Sequence, residues 1–490
     1  MFSFNFIDIS ASYLKTKLPF DDKNIPKFKL KIIMKFLKSI FIIFIIDLFF
    51  LNSSFAQFKI IRDAEIEKTI FELAIPIIDA SEINKQAINF YIVNDSAINA
   101  FVAGGQNIFI NSGLITKFNN PETLIGVLAH EMGHISAGHL ARSGEEFEKS
   151  KNIAILSYLL GIGAMISGSA DAGMAIISGG SDVFFKNQMK YTRWQEESAD
   201  KLAMDYLSKA KIDSNGLIEL LKYFYQENLG VKSVMNEYLL SHPVSEKRIS
   251  AIRNYQQNHQ IKAKSLSKEL LQDFLMARAK LIAFNASDIE FSLQEIEKFL
   301  LKNQQDIPAQ YQKTILLYRL GRIDDSLKIL NKIIDKYQNN GFLIELKAQI
   351  LFENGNIVDA VKNYHLAIKK IDNRFNALIK ISFANALLKA QEQDNSLIND
   401  FNQLVIARLN EAKNYEAYNP ILFKNLAIAY QYQKDKANYL FNIGQYFFLI
   451  ENYKKATEIL IEAQKMFQKD TIEYKEIKYL LIEIEKNNKK

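Results

Sequence analysis

The sequence predicts an α+β, mostly helical protein, with a small edge sheet in its front domain and an α-helical tetratricopeptide-type solenoid behind it. Three observations predict that class. Two short β-like runs, Ile88–Val93 and Asn107–Ile110, lie among long stretches with apolar residues at helical spacing. From about Ala263 the composition turns to Lys, Leu, Ile, Asn, Gln and Tyr, with helical periodicity throughout. Within that rear half, Tyr318–Ile334 (YRLGRIDDSLKILNKII) aligns with Phe352–Ile368 (FENGNIVDAVKNYHLAI). Gly321 and Gly355 then stand 34 residues apart, as do Ser326 and Ala360. That period, with small residues where two helices meet, belongs to tetratricopeptide helix pairs. A third copy is expected at Phe448–Ala463, with Ala456 in the small position, and the stretch from Phe375 to Tyr418 is degenerate.

Composition sets further bounds. At 490 residues the chain exceeds one ordinary domain, and its 48% hydrophobic fraction supports a buried core. It has no cysteine, which excludes a disulfide scaffold, a cysteine zinc cluster, a thiol nucleophile and an iron–sulfur site. The net charge is +6, but much of it comes from the six Lys and three Asp of residues 1–33. What remains is too small an excess for nucleic-acid binding.

From Met34 the chain reads as a signal peptide. Lys35 and Lys38 form a basic start, Ser39–Leu51 an apolar run, and Ser54 and Ala56 the small residues of a cleavage site after Ala56. A membrane anchor is the alternative, for which about 20 apolar residues are needed and the run is short. Residues 1–33, with Asp8, Asp21, Asp22, Pro19 and Pro26, read as an over-extended N-terminus. The expected domains are therefore 57–262 and 263–490. In the first, residues 62–80 form a helix interrupted by Pro76, and Gly104 and Gly105 suit a tight turn between the strands. Pro121 and Glu122 open a helix expected to run through Leu140, capped by Asn119 or Asn120. Residues 153–180 are apolar and rich in Gly, Ala and Ile. A buried or lid helix, peripheral membrane contact and a membrane hairpin are three readings of that segment. Further helices are expected at 191–209, from about Ser214, and after Pro243 through Tyr255.

The helix opening at Pro121 carries chemistry. His130-Glu131-Met132-Gly133-His134 places two imidazoles four residues apart, on one helical face and one turn apart, so both reach one zinc ion. Glu131 is placed to take a proton from the attacking water. An accidental match on a surface helix is the bland reading, and the apolar neighbours Leu124, Ile125, Val127 and Leu128 weaken it. A catalytic zinc site takes three protein ligands. Glu196 is the candidate third, with Glu197 its nearest rival, and Asp200 would orient a ligand histidine. By itself this acidic cluster reads as a solvated helix start. His139, five residues beyond His134 and about 140° further round a continuing helix, reads as structural.

With these residues in view, the chain resembles the HtpX-related gluzincin metallopeptidases. His130-Glu131-x-x-His134 followed by Glu196-x-x-Ala199-Asp200 carries the resemblance, and Arg193 stands three residues before Glu196, as in one version of that family. Asn99-Ala100-Phe101 with Gly104-Gly105, and Ser241-His242-Pro243 with Arg248, resemble two further family segments. Val102-Ala103 before the glycine pair departs from the pattern. Together with a signal peptide and rear repeats, these features resemble the periplasmic BepA-type group of that family.

The resemblance implies a gluzincin-type metalloprotease domain with one zinc ion per chain, held by His130, His134 and Glu196. It implies Glu131 as catalytic base, with His242 and Arg248 as further catalytic residues and Asp200 and Arg193 behind the ligands. His242 would approach the zinc as a fourth ligand that keeps the enzyme latent, or donate to the oxyanion; Arg248 would support that loop or the transition state. Asn99, Phe101, Gly105 and Ile108 would bind substrate along an edge strand. The implied activity is periplasmic cleavage of unfolded or stalled exported and outer-membrane proteins, with the repeats engaging substrate or the outer-membrane assembly machinery. A tetratricopeptide adaptor or chaperone with a latent protease site is the alternative.

Overall fold

A computed structural model describes residues 60–139, 193–229, 238, 242–259, 262–393 and 398–488. The signal-peptide reading of 34–56, the reading of 1–33 and the apolar segment 153–180 fall outside these residues. Gln57–Lys490 cluster as one compact unit.

The front part opens with β1 (Ile60–Ile61), α1 (Ala64–Ser81), β2 (Asn89–Val93), β3 (Ala100–Ala103) and β4 (Asn107–Asn111). The strand order is β1-β2-β4-β3, with β2 and β4 parallel and the other pairs antiparallel. The two strands read from sequence are β2 and β4. The other two gave no alternating pattern: β1 is two residues long, and β3 is an unbroken apolar run buried on both faces. One sheet face sends Ile92, Ile108, Ile110, Ala100 and Val102 into the main core. The other carries an aromatic ladder, in which Tyr91 and Phe101 each stack on Phe109 with ring centroids 5.1 Å apart. α1 passes through Pro76 without breaking. Its buried stripe (Ile70, Leu73, Ala74, Ile77, Ile78) anchors it to the core and outweighs the lost backbone bond.

After α2 (Ser112–Lys117) comes the motif helix α3 (Pro121–Ser136). The Asn120 side chain accepts from the Glu122 N–H, as a cap should. The helix stops at Ser136 rather than continuing to Leu140, because the chain turns at Ala137 and Gly138 takes φ +63°. α4 (Arg193–Ala210) packs closely against α3 at Gly133, where a Cβ would stand 2.6 Å from the Ala199 carbonyl oxygen. α5 (Asn215–Leu229) and α6 (Glu246–His259) complete this part.

The rear half is helical throughout. It comprises α7 (Lys268–Asn285), α8 (Ile289–Lys302), α9 (Ile307–Arg319), α10 (Ile323–Lys336), α11 (Gly341–Glu353) and α12 (Ile357–Lys370). There follow α13 (Ala377–Gln393), α14 (Ile398–Lys413), α15 (Pro420–Tyr432), α16 (Lys436–Leu449), α17 (Tyr453–Gln464) and α18 (Ile472–Asn488). The repeat's small residues Ser326, Ala360 and Ala456 are all completely buried at helix contacts. The turns preceding them use a left-handed residue each: Gly321, Gly355 and, in the third copy, Glu451. The degenerate stretch keeps the alternation as α13 and α14.

The domain boundary expected near 263 falls just before a helix that serves both cores. Phe274, Ala277 and Leu281 of α7 join the front core, while Met276, Ala279 and Ala283 join the first repeats. At the same junction Lys280 is buried, with its ammonium 2.7 Å from Asp63, 3.1 Å from Glu65 and 3.9 Å from Glu345. The Tyr311 hydroxyl donates to Glu65 at 2.8 Å. Arg62 spans Glu67 and Glu416, tying the start of the front domain to the loop before α15.

Removing Lys280 would leave three acids without their counter-charge. Lys280→Ala should destabilise the protein by about 3–5 kcal/mol in urea unfolding, the scale for orphaning a buried charge. Burial pushes the Glu345 carboxyl up to about 7 despite Lys280. The folded state therefore binds a proton that the unfolded chain releases at lower pH, and stability falls as pH rises from the ordinary carboxylate range through 7. Glu345→Gln should flatten that fall in unfolding midpoints measured from roughly pH 5 to 8; an unchanged slope would assign it to another group.

Candidate metal centre

Three elements converge on one buried point. α3 supplies His130 and His134 from adjacent turns, α4 supplies Glu196, and the turn before α6 supplies His242. Each offers one donor atom, and the four donors lie within 4.8 Å of one another. No other group of three or more His, Cys, Asp or Glu among the described residues does this.

The spacing tests whether a metal fits. His130 Nε2 lies 3.1 Å from His134 Nε2, 3.4 Å from His242 Nδ1 and 3.5 Å from Glu196 Oε2. Glu196 Oε1 lies 3.3 Å from His134 Nε2 and 3.0 Å from His242 Nδ1. Ligands about 2.0–2.1 Å from a tetrahedral zinc stand about 3.3 Å from each other. The observed separations bracket that value, and three imidazoles with one carboxylate are zinc donors by type. The residues fit the ion.

The electrostatics favour a cation as well. Burial opposes charge on His130, but Glu196 and Asp200 outweigh it and lift its pKa to about 10. Glu196 is held well below the usual carboxylate range, against burial, by His242 and His130. Asp200 is drawn down to about 2, against burial, chiefly by Arg248. Arg248 is itself buried and forks onto Asp200 at 2.7 and 2.9 Å. Its third nitrogen reaches Glu196 at 2.6 Å and donates to the Pro243 carbonyl at 2.9 Å. Asp200 in turn stands 2.9 Å from His130 Nδ1. Beside the donors, both carboxylate oxygens of Glu131 are buried without a hydrogen bond, one of them 3.6 Å from His242 Nε2.

The structure sorts the sequence-predicted residues. It brings His130, Glu131, His134, Glu196, Asp200, His242 and Arg248 together. Glu197, the rival to Glu196, points outward and pairs with Lys247 at 2.7 Å. Arg193 is exposed and makes none of the site's ion pairs, so the guanidinium behind the ligands is Arg248 instead. Because Arg248 is fully engaged with two carboxylates and the Pro243 carbonyl, its place is that of a brace rather than of a group facing the reacting atoms. Ile108 is corrected too: it lies on interior strand β4, fully buried in the core, where no substrate reaches. The edge is β3, which precedes the glycine pair. Phe101 sits on it with its ring stacked away against Phe109, Asn99 is buried just before it, and Gly105 forms the β3–β4 turn with φ +98°. His139, read as structural, lies against His134. A helix unbroken through Leu140 would carry His139 to another face, and the turn at Gly138 prevents it.

Comparison with known proteins fits this geometry. Residues 61–256 match the model of Peptidase family M48. That match spans the front part from β1 into α6 and, with the two relatives that follow, supports a metalloprotease. The chain is 25% identical over 349 residues to the beta-barrel assembly-enhancing protease of Yersinia pestis, covering 70% of each chain. The protein of that name from Escherichia coli K12 is 24% identical over 337 residues, covering 67% of this chain and 66% of its own. The protease HtpX homolog of Fusobacterium nucleatum is 31% identical over 192 residues, 34% of this chain and 61% of its own. The solved tetratricopeptide domain of P58(IPK) covers 77% of the chain at 12% identity, but its TM-score of 0.18 carries no argument.

His134→Ala should abolish stoichiometric zinc in the purified protein after dialysis against micromolar chelator, measured by elemental analysis. Full retention would remove His134 from the donor set.

Proposed function

We propose that the protein is a zinc endopeptidase of the periplasm that cleaves misfolded or stalled exported and outer-membrane proteins and is held latent at rest. The observation that carries this reading is the buried four-donor cluster with the Glu131 carboxylate beside it. The names of the Yersinia and Escherichia relatives support the substrate class and the link to outer-membrane assembly, in which the solenoid would engage substrate or assembly machinery. No helix of the described residues is long and apolar enough to cross a membrane.

Bound zinc would supply Lewis acidity that polarises the scissile carbonyl and makes water nucleophilic near neutral pH. His130, His134 and Glu196 would hold it. Glu131 then accepts the proton of the attacking water and passes it to the leaving amine. Edge strand β3 pairs on one side only, and an extended peptide added there would align beside α3 once the buried strand is uncovered. His242 adds a fourth protein donor, and a site with four protein ligands leaves no place for water. Catalysis in this reading requires His242 to withdraw, and the Arg248 bond to the Pro243 carbonyl ties that step to the loop carrying it.

The same closure supports a second reading, an adaptor or chaperone whose protease site stays latent. The test is hydrolysis of casein or an unfolded porin by the purified, zinc-loaded chain. Glu131→Gln should keep its zinc and its fold and lose at least about a hundredfold in rate, the scale for a general base. Comparable turnover would locate the base elsewhere, and no turnover in the parent would favour the adaptor. His242→Ala with zinc retained should raise hydrolysis. A clear fall would replace the latch with an oxyanion donor, a contact of about 3 kcal/mol.

A further inference from the structure

The end of α3 builds a contact that the hydrolytic reading does not use. At Gly138 the backbone enters the left-handed region, φ +63°, which strains any residue with a Cβ. That turn folds the next residue back on the helix. The His139 N–H donates to the His134 carbonyl at 3.2 Å, and the His139 side chain, 2% exposed, lies against the His134 ring. Their Nδ1 atoms are 2.9 Å apart, with ring centroids at 5.0 Å and planes at 68°.

Two ring nitrogens at that distance share one proton: one donates and the other accepts. The far nitrogen of His134, Nε2, faces the donor cluster, 3.1 Å from His130 Nε2 and 3.3 Å from Glu196 Oε1. A nitrogen that coordinates a cation keeps its lone pair, so the proton of His134 belongs on Nδ1. His139 Nδ1 is then the acceptor. We infer that His139 is a positioning residue that holds His134 in the tautomer and ring plane a zinc ion requires.

The proposal rests on the metal reading above and extends it. It also makes the two motif histidines unequal. His130 is backed by the Asp200 carboxylate at 2.9 Å, an anion that strengthens its donor nitrogen. His134 is backed by a neutral imidazole, which orients it with less added charge. The outer face of His139 meets Trp194, the one tryptophan of the chain, with ring centroids 6.0 Å apart. A file of rings thus runs from the donor cluster to an intrinsic fluorophore.

The experiment is zinc titration of the full chain, stripped of metal, against a chromophoric chelator, with Trp194 emission followed in parallel. His139→Ala should weaken zinc binding by about ten- to a hundredfold, the scale for removing a ligand's hydrogen-bond partner, and reduce the zinc-dependent change in emission. His139→Asn, whose amide oxygen accepts the same N–H, should recover most of the affinity. Both apo variants should melt with the parent. Parental affinity in His139→Ala overturns the proposal. Equal loss in both variants, accompanied by a lowered apo midpoint, also overturns it and leaves His139 a packing residue. His130→Ala is the control: if it keeps parental affinity, the metal reading fails and the proposal with it.

Discussion

The buried guanidinium of Arg248 holds the site together. Its fork takes both oxygens of Asp200, and its remaining nitrogen takes Glu196 and the Pro243 carbonyl. Those contacts join three separate pieces of chain: helix α4, the turn that carries His242, and, through Asp200, the His130 imidazole on α3. Three buried histidines (His130, His134, His242) and three buried acids (Glu131, Glu196, Asp200) each lose hydration here, and the acids would repel one another without a buried cation. The arginine supplies the charge that keeps Asp200 ionised behind the cation site, while His242 and His130 do so for Glu196. Gly133 supplies the geometry, because any side chain there would push α4 away from α3 and Glu196 out of reach.

The solenoid is coupled to this site by packing. α7 places alternate residues in two cores, and Lys280 on the same helix gathers acids from the start of the chain and from α11. α1, which receives those contacts, is also part of the core beneath α3. A load on the first repeats therefore meets an element that supports the motif helix.

Much of this was legible in the sequence because the relevant signals were local. His130 and His134 share a helical face by spacing alone, and Gly321 with Ser326 repeats as Gly355 with Ala360. Glu196 against Glu197 could not be settled locally, since one residue is a 100° turn and only tertiary packing decides which carboxylate faces inward. Arg193 is expected behind the ligands and Arg248 beside the His242 loop, but only tertiary packing shows that Arg193 stays exposed while Arg248 is the buried brace. Ile108 was misplaced because strand order does not follow chain order: β4 pairs on both sides and β3, earlier in the chain, is the edge. The position of His139 depends on a single turn. A helix continuing past Gly138 would put His139 on another face, and one left-handed residue instead brings its imidazole against His134.

The central claim is that three imidazoles and one carboxylate from α3, α4 and the His242 turn surround a single zinc ion. X-ray absorption at the zinc edge, on the full chain loaded with one equivalent, tests it most directly. The account predicts a four-coordinate N/O shell at about 2.0–2.1 Å with the outer-shell scattering of three histidines, falling to two in His242→Ala. A parent shell with two histidines, or one unchanged by that substitution, would contradict it.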